Sequence, residues 1–159
     1  MLIYFAAPLF NAAEKQFNLQ LTERLEALGY RVFLPQRDGI EQEEQDTVDA
    51  AAKERLQRKI FELDSSKVYE SDVFLFVLDG RVPDEGACVE LGLAHADKIR
   101  RKQDRLLIGL QTDVRAAFPE AKLNPMLRIP LDYVAETEEE LVEVLAGYKE
   151  NGVIDGLTD

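Results

Sequence analysis

Apolar and polar residues fall into blocks whose period switches back and forth along the chain. Leu2-Ile3-Tyr4-Phe5-Ala6 is apolar over the length of a strand and predicts a buried first strand. Asn11 then reads as a helix N-cap with Glu14 three residues on, and Phe17, Leu21, Leu25 and Leu28 stripe one helical face as far as Gly29. Arg31 to Leu34 forms a short second strand, stopped by Pro35 and a turn at Arg37-Asp38-Gly39. After the charged stretch Glu41 to Asp46, an amphipathic helix is predicted from about Thr47 to Ser65.

Val73 to Leu78 is the strongest strand, apolar on both faces as a central parallel strand must be. A loop over Asp79-Gly80-Arg81-Val82-Pro83 leads into a helix from Asp84 to Arg101, and Leu106 to Leu110 is a fourth strand. A loop with a short helix carries the chain to Leu127. Asp132-Tyr133-Val134 is a weaker fifth strand, and Thr137 to Tyr148 is a last helix whose opening glutamates, Glu138 to Glu140, suit its dipole. Beyond Asn151 the chain reads as an irregular tail.

Strand and helix thus alternate without a repeat or a linker. The expectation is a single α/β domain over residues 1–159, a doubly wound sandwich whose five-stranded, mostly parallel sheet carries helices on both faces. In the flavodoxin-like strand order 2-1-3-4-5 the winding reverses between strands one and three, and ligands sit beyond the carboxyl ends of the strands at that point. Topology alone therefore selects two loops, Ala6 to Asn11 and Asp79 to Glu90.

Composition narrows the function. The chain has 159 residues, 46% hydrophobic and 31% charged, the profile of a globular protein of one domain. Its 19 Lys plus Arg against 31 Asp plus Glu give a formal charge of −12, which disfavours nucleic acid and anionic membrane as partners. A lone cysteine, Cys88, and a lone histidine, His95, exclude an internal disulfide and a His-rich metal centre. The longest apolar run, Met1 to Ala7, is far short of the about 20 residues of a membrane span and lacks a basic flank, so a cytoplasmic location is expected. The loop Ala6-Ala7-Pro8-Leu9-Phe10 holds no glycine for a dinucleotide pyrophosphate, and no P-loop motif occurs. No cofactor is expected.

The second loop carries the unusual chemistry. Glu90 is the only charged side chain between Gly86 and Ala94, and Gly86, one turn earlier, leaves it uncovered on that side. A carboxylate among small apolar residues costs several kcal/mol of desolvation unless paired; the other reading is a narrow solvent stripe on an ordinary helix. Asp84 suits an N-cap, a site carboxylate, or both. Tyr4 needs a partner for its hydroxyl if it is buried mid-strand, whether a site group or a carbonyl. Asp64, near the end of its predicted helix, lies where the dipole disfavours it, and Asn124 lies in a turn-like Leu123-Asn124-Pro125-Met126. His95 is set around the helix from Glu90, and Cys88 reads as helix packing. Two carboxylates and a tyrosine suffice for hydrolysis or transfer at a glycosidic carbon.

These residues, in this order, resemble the nucleoside 2-deoxyribosyltransferase family. Ile3-Tyr4-Phe5 looks like its first strand, Asp64 like its aspartate upstream of the third strand, and Asp84-x-Gly86-x-x-x-Glu90-x-Gly92 like its main motif. Asn124-x-Met126 looks like the segment each subunit lends to a neighbour's site. The likeness runs from the first residue to about Met126. It implies a retaining double displacement in which Glu90 attacks the anomeric carbon of a 2′-deoxynucleoside, with Tyr4 orienting Glu90 and Asp64 handling a proton on the base. Asp84, Gly86, Asn124 and Met126 would line the sugar site, and Arg37 and Asp38 would contact the base. The implied partners are 2′-deoxynucleosides, free nucleobases and further copies of the chain in a homo-oligomer. The alternatives are a 2′-deoxynucleoside 5′-monophosphate N-glycosidase, with Arg81 the nearby cation, more distant ribonucleotide or cytokinin-type N-glycosidases, and a non-catalytic nucleoside-binding module.

Overall fold

The computed structural model describes residues 1–40, 50–80, 82–101, 104–113 and 123–154. Five parallel strands, β1 (Leu2–Ala6), β2 (Arg31–Phe33), β3 (Val73–Val77), β4 (Leu106–Leu110) and β5 (Tyr133–Ala135), form one sheet in the order β2-β1-β3-β4-β5. The expected winding, with its reversal between β1 and β3, is present. Six helices are described: α1 (Ala12–Ala27), α2 (Pro35–Asp38), α3 (Ala50–Glu70), α4 (Glu85–Arg101), α5 (Pro125–Arg128) and α6 (Glu138–Asn151).

Side-chain alternation divides the core in two. Ile3 and Phe5 of β1, with Val73, Leu75 and Val77 of β3, face one side and pack under Leu21 and Leu25 of α1 and Leu141 and Leu145 of α6. Tyr4 and Ala6, with Phe74 and Phe76, face the other side, under Val68 of α3 and Ala87, Leu91 and Ala94 of α4. All five residues of β3 are buried, as a strand covered on both faces requires. Tyr4 therefore belongs to the same layer as α4, a placement that alternation alone enforces.

Several boundaries differ from the sequence expectation. The turn expected at Arg37-Asp38-Gly39 is the end of α2, because Pro35 at the first helical position pre-sets its backbone dihedral and Arg37 and Asp38 N–H groups both reach back to the Leu34 carbonyl. β5 runs from Tyr133 to Ala135 rather than from Asp132, whose carboxylate instead accepts the Leu107 N–H at 2.7 Å and pairs with Lys98 at 2.6 Å. Helix α3 continues past Ser65 to Glu70, since Val68 anchors an extra turn against the sheet. Asp64 thus lies well inside the helix, and the dipole argument that singled it out does not apply. The stretch Glu41 to Asp46, Arg81, most of the loop before Leu123 and the tail from 155 lie outside the described residues.

Candidate active site

The cleft lies where topology placed it. A cavity of about 260 Å³ opens beyond the end of β1, floored by Ala6 and Ala7 and walled by Leu9, Phe10 and Pro35 on one side. Asp84, Glu85, Gly86 and Glu90, from the first turns of α4 and the residue before it, form the other side. One wall is apolar and uncharged; the other holds three carboxylates.

Glu90 is reached from below by Tyr4. The tyrosine hydroxyl donates to Glu90 Oε1 at 2.6 Å, the short distance of an O–H···O⁻ bond. Tyr4 is wholly buried, so its ring cannot swing to another partner without opening the core. Parallel register adds a second constraint: Tyr4 stands opposite Phe33 on β2 and Phe74 on β3, all three on one face. The rings stack, with centroids 5.6 Å and 5.8 Å from Tyr4. A clamped phenol thus holds one carboxylate oxygen of Glu90, which rejects the reading of Glu90 as part of a plain solvent stripe.

Asp84 closes the start of α4. Its Oδ1 accepts the Ala87 N–H at 2.8 Å, an N-cap bond, while the side chain also lines the cleft. Both readings of this residue hold at once. Gly86 lines the cleft too, and a Cβ there would stand 3.2 Å from Asp84 Oδ1, so the small residue keeps the cap and the approach to Glu90 compatible. Burial first, then Asp84 and Glu85, push the Cys88 thiol above its ordinary range, which suits a packing role rather than a nucleophile. His95 is half-buried on α4 and does not line the cleft.

The other expected site residues are placed differently. Arg37 is engaged by Asp38 at 2.9 Å, by Glu26 at 2.9 Å and by the Val32 carbonyl at 2.9 Å, while Asp38 Oδ2 accepts the Leu34 N–H at 2.8 Å. The bonds to Asp38 and then Glu26 raise the Arg37 pKa further, and the pair braces α2 rather than lining the cleft. Asp64 is half-buried on α3, beside Leu63 of the same core layer, and is not among the described lining residues. Asn124 caps α5 by accepting the Met126 N–H at 2.9 Å, and Met126 is 79% exposed. Within this one chain neither touches the cleft.

Pro35 lies outside the two loops that topology selected, and Leu9 and Phe10 lie within one of them without an assigned role. Phe10 had a visible signal: it directly precedes the capping box, and Glu14 accepts its N–H at 2.8 Å as well as that of Asn11 at 3.1 Å. The helix start therefore fixes the Phe10 backbone beside the cleft.

A carboxylate and a tyrosine joined at the switch point of a doubly wound α/β sandwich suit chemistry at a glycosidic carbon. The nucleoside 2-deoxyribosyltransferase family model matches residues 3–145, and the chain belongs to that family. Among solved structures, a conserved protein from Enterococcus faecalis is 25% identical, with 90% of this chain and 95% of that chain covered and a TM-score of 0.68. A 2-deoxyribosyltransferase from the psychrotolerant bacterium Bacillus psychrosaccharolyticus has a TM-score of 0.70 at 18% identity, covering 89% of this chain and 90% of that one. A 2-desoxiribosyltransferase from Leishmania mexicana has a TM-score of 0.60 at 18% identity, covering 96% and 99%. No curated protein matches the chain.

The double role of Asp84 is separable. Asp84→Ala should lower unfolding free energy by about 1 kcal/mol through the lost cap, while Asp84→Asn, whose carbonyl still accepts from Ala87, should stay within a few tenths. Urea denaturation of the two variants checks this; equal stability in both would remove the capping role.

Proposed function

We propose that this chain transfers 2-deoxyribose from a 2′-deoxynucleoside to a second nucleobase through a covalent deoxyribosyl–Glu90 intermediate. The observation that carries the reading is the 2.6 Å bond from the buried Tyr4 hydroxyl to Glu90 Oε1 in a cleft whose facing wall is Leu9, Phe10 and Pro35. In the first step a Glu90 oxygen attacks the anomeric carbon and the carbon–nitrogen bond breaks, with the electron pair leaving on the base. Asp64 is proposed to protonate that nitrogen and later to take the proton of the arriving base. The second base attacks the same carbon from the face the first one left, Glu90 departs as carboxylate, and the sugar keeps its configuration. Asp84 is proposed to hold a sugar hydroxyl through the oxygen not used in the cap. The apolar wall supplies a surface for a planar base, and Arg37 and Asp38 are assigned to bracing that wall through α2 rather than to touching the base.

Charge favours a neutral donor over a nucleoside 5′-monophosphate. Asp84 and Glu85 sit at the α4 start, where a phosphate dianion would otherwise find N–H groups, and each repels it. The chain is further proposed to act in the cytoplasm, as a single domain, and as a homo-oligomer. The exposed Met126 and Ile129, 79% and 76% accessible, favour assembly through the α5 segment, with Asn124 completing a neighbour's cleft.

Four measurements test this. Incubated with deoxyinosine and adenine, the wild type should form deoxyadenosine, and Glu90→Ala should lose at least roughly a thousandfold in rate while remaining folded. A mass gain of one deoxyribosyl group on the wild type, absent in the variant, locates the bond; hypoxanthine release without deoxyadenosine would instead mark a hydrolase, and no change a binding module. Tyr4→Phe keeps the ring stack and deletes only the donor, so turnover should fall by the equivalent of about 1–3 kcal/mol with little change in stability. Equal rates would return Tyr4 to a purely structural role. Finally, Glu90→Ala and Asn124→Ala chains, each inactive alone, should regain activity when dissociated and reassembled together. No recovery in verified mixed oligomers rejects the shared site and leaves the Glu90 chemistry standing.

A further inference from the structure

The apolar wall of the cleft consists of the loop after β1 and the start of α2, and the structure ties them together at one buried point. Asn18 of α1 is 1% exposed and Gln36 of α2 is 7% exposed. Asn18 Nδ2 donates both to Gln36 Oε1 at 3.0 Å and to the Pro8 carbonyl at 2.9 Å. Gln36 Nε2 in turn donates to the Lys15 carbonyl at 2.9 Å. Pro8 lies between Ala7 and Leu9, and Gln36 directly follows Pro35; all three flanking residues line the cleft. Buried amides are costly unless satisfied, whereas two apolar side chains of the same shape would fill this space at no such risk. What the amides add is direction: each fixes a backbone carbonyl or a partner amide in one orientation, which packing alone does not do.

We propose that Asn18 and Gln36 form a positioning clamp that sets the Ala7–Phe10 loop and the Pro35 turn at a fixed distance from Glu90, so that a base bound against this wall is held in line with the anomeric carbon. The proposal rests on the deoxyribosyl-transfer reading for its kinetic consequences and on the hydrogen bonds alone for its mechanical ones. Neither residue touches substrate; both act through the wall. The clamp matters most in the second half of the reaction, where a base must capture the sugar on Glu90 before water does. A loosened wall lowers base occupancy and admits water, so hydrolysis gains on transfer.

The test uses Asn18→Leu/Gln36→Met, which removes both amides together and leaves similar volumes, with Asn18→Leu alone as the second variant should the double one fold poorly. Amide hydrogen exchange of Ala7, Leu9 and Phe10 should quicken on the order of tenfold or more, while exchange in β1, β3 and the interior of α1 keeps its wild-type protection. Under transfer conditions KM for deoxyinosine should rise on the order of tenfold with a smaller change in kcat, and the ratio of free hypoxanthine to deoxyadenosine formed should increase. A uniform rise in exchange with a lowered Tm makes the pair an ordinary core contact and overturns the clamp. So does quickened loop exchange with unchanged KM and product ratio, or loop exchange that stays at the wild-type rate. Quickened loop exchange in a protein whose wild type never transfers deoxyribose supports the clamp and fails the transfer reading alone.

Discussion

A carboxylate set against the apolar side of a sheet needs a donor, and the fold supplies the Tyr4 hydroxyl to Glu90. That bond fixes more than one side chain. Tyr4 is in the middle of β1, so the donor moves only if the strand moves, and the strand is held by β2 on one side and β3 on the other. Glu90 is on α4, whose Ala87, Leu91 and Ala94 press on the same layer of the sheet. The hydrogen bond joins the central sheet to α4 beside the crevice that the reversed winding leaves. Placing Tyr4 on the opposite side of β1 by a one-residue slip of register would turn the hydroxyl into the α1/α6 core and leave Glu90 with no donor from the sheet.

The cleft then divides by mechanical character. Its acidic half stands on α4, a helix of 17 residues, and is pinned by the Asp84 cap and the Tyr4 bond. Its apolar half stands on the loop after β1 and on the single turn of α2, neither of which a strand ladder holds. Those loops are secured instead by side chains that accept or donate to backbone: Glu14 to the N–H of Phe10, Asn18 to the carbonyl of Pro8, and Asp38 to the N–H of Leu34. The chemistry proposed for Glu90 requires tolerance on the order of half an ångström, and loops reach that only when such supports are in place.

Much of this was legible along the chain. The block pattern predicted five strands in their correct places, because strands covered on both faces are continuously apolar and carry few ambiguities. Asn11 with Glu14 predicted the α1 cap, and the lone charge at Glu90 predicted a carboxylate in need of a partner, which the Tyr4 hydroxyl provides. Other features were hidden for identifiable reasons. Arg37 and Asp38 enter as base contacts only through the family resemblance, and the sequence alone does not show that they also brace α2 by pairing with each other, with Glu26 and with the Leu34 N–H. Asp64 seemed misplaced only because α3 was read as ending at Ser65, before Val68 anchored another turn. Asn18 did leave a trace. It occupies a position three residues before Leu21 and seven before Leu25, on the buried side of α1, where an apolar residue was due. A polar residue on an apolar stripe is an informative violation, and it was overlooked because Phe17 satisfied the period one position away.

That violation bears on how such a site is built. A sequence optimised for stability alone would place leucine or methionine at positions 18 and 36, since apolar packing there needs no partner geometry. The chain carries a pair of amides instead: Asn18 holds the Pro8 carbonyl of the cleft loop, and Gln36 ties the start of α2 to the Lys15 carbonyl of α1. Local departures of this kind concentrate where a structure must hold a shape for a purpose other than its own stability. Here the departures form one connected set: Glu90 among small apolar residues, Tyr4 within an aromatic stack, Asp84 serving as cap and cleft wall, and Asn18 with Gln36 beneath the facing wall. Glu90 and Asp84 line the same 260 Å³ of space at the end of β1, while Tyr4 bonds to Glu90 and Asn18 to the Pro8 carbonyl between two lining residues. The polar side chains that the core would not choose for itself are thus the ones that give this cleft its position, its charge and its width.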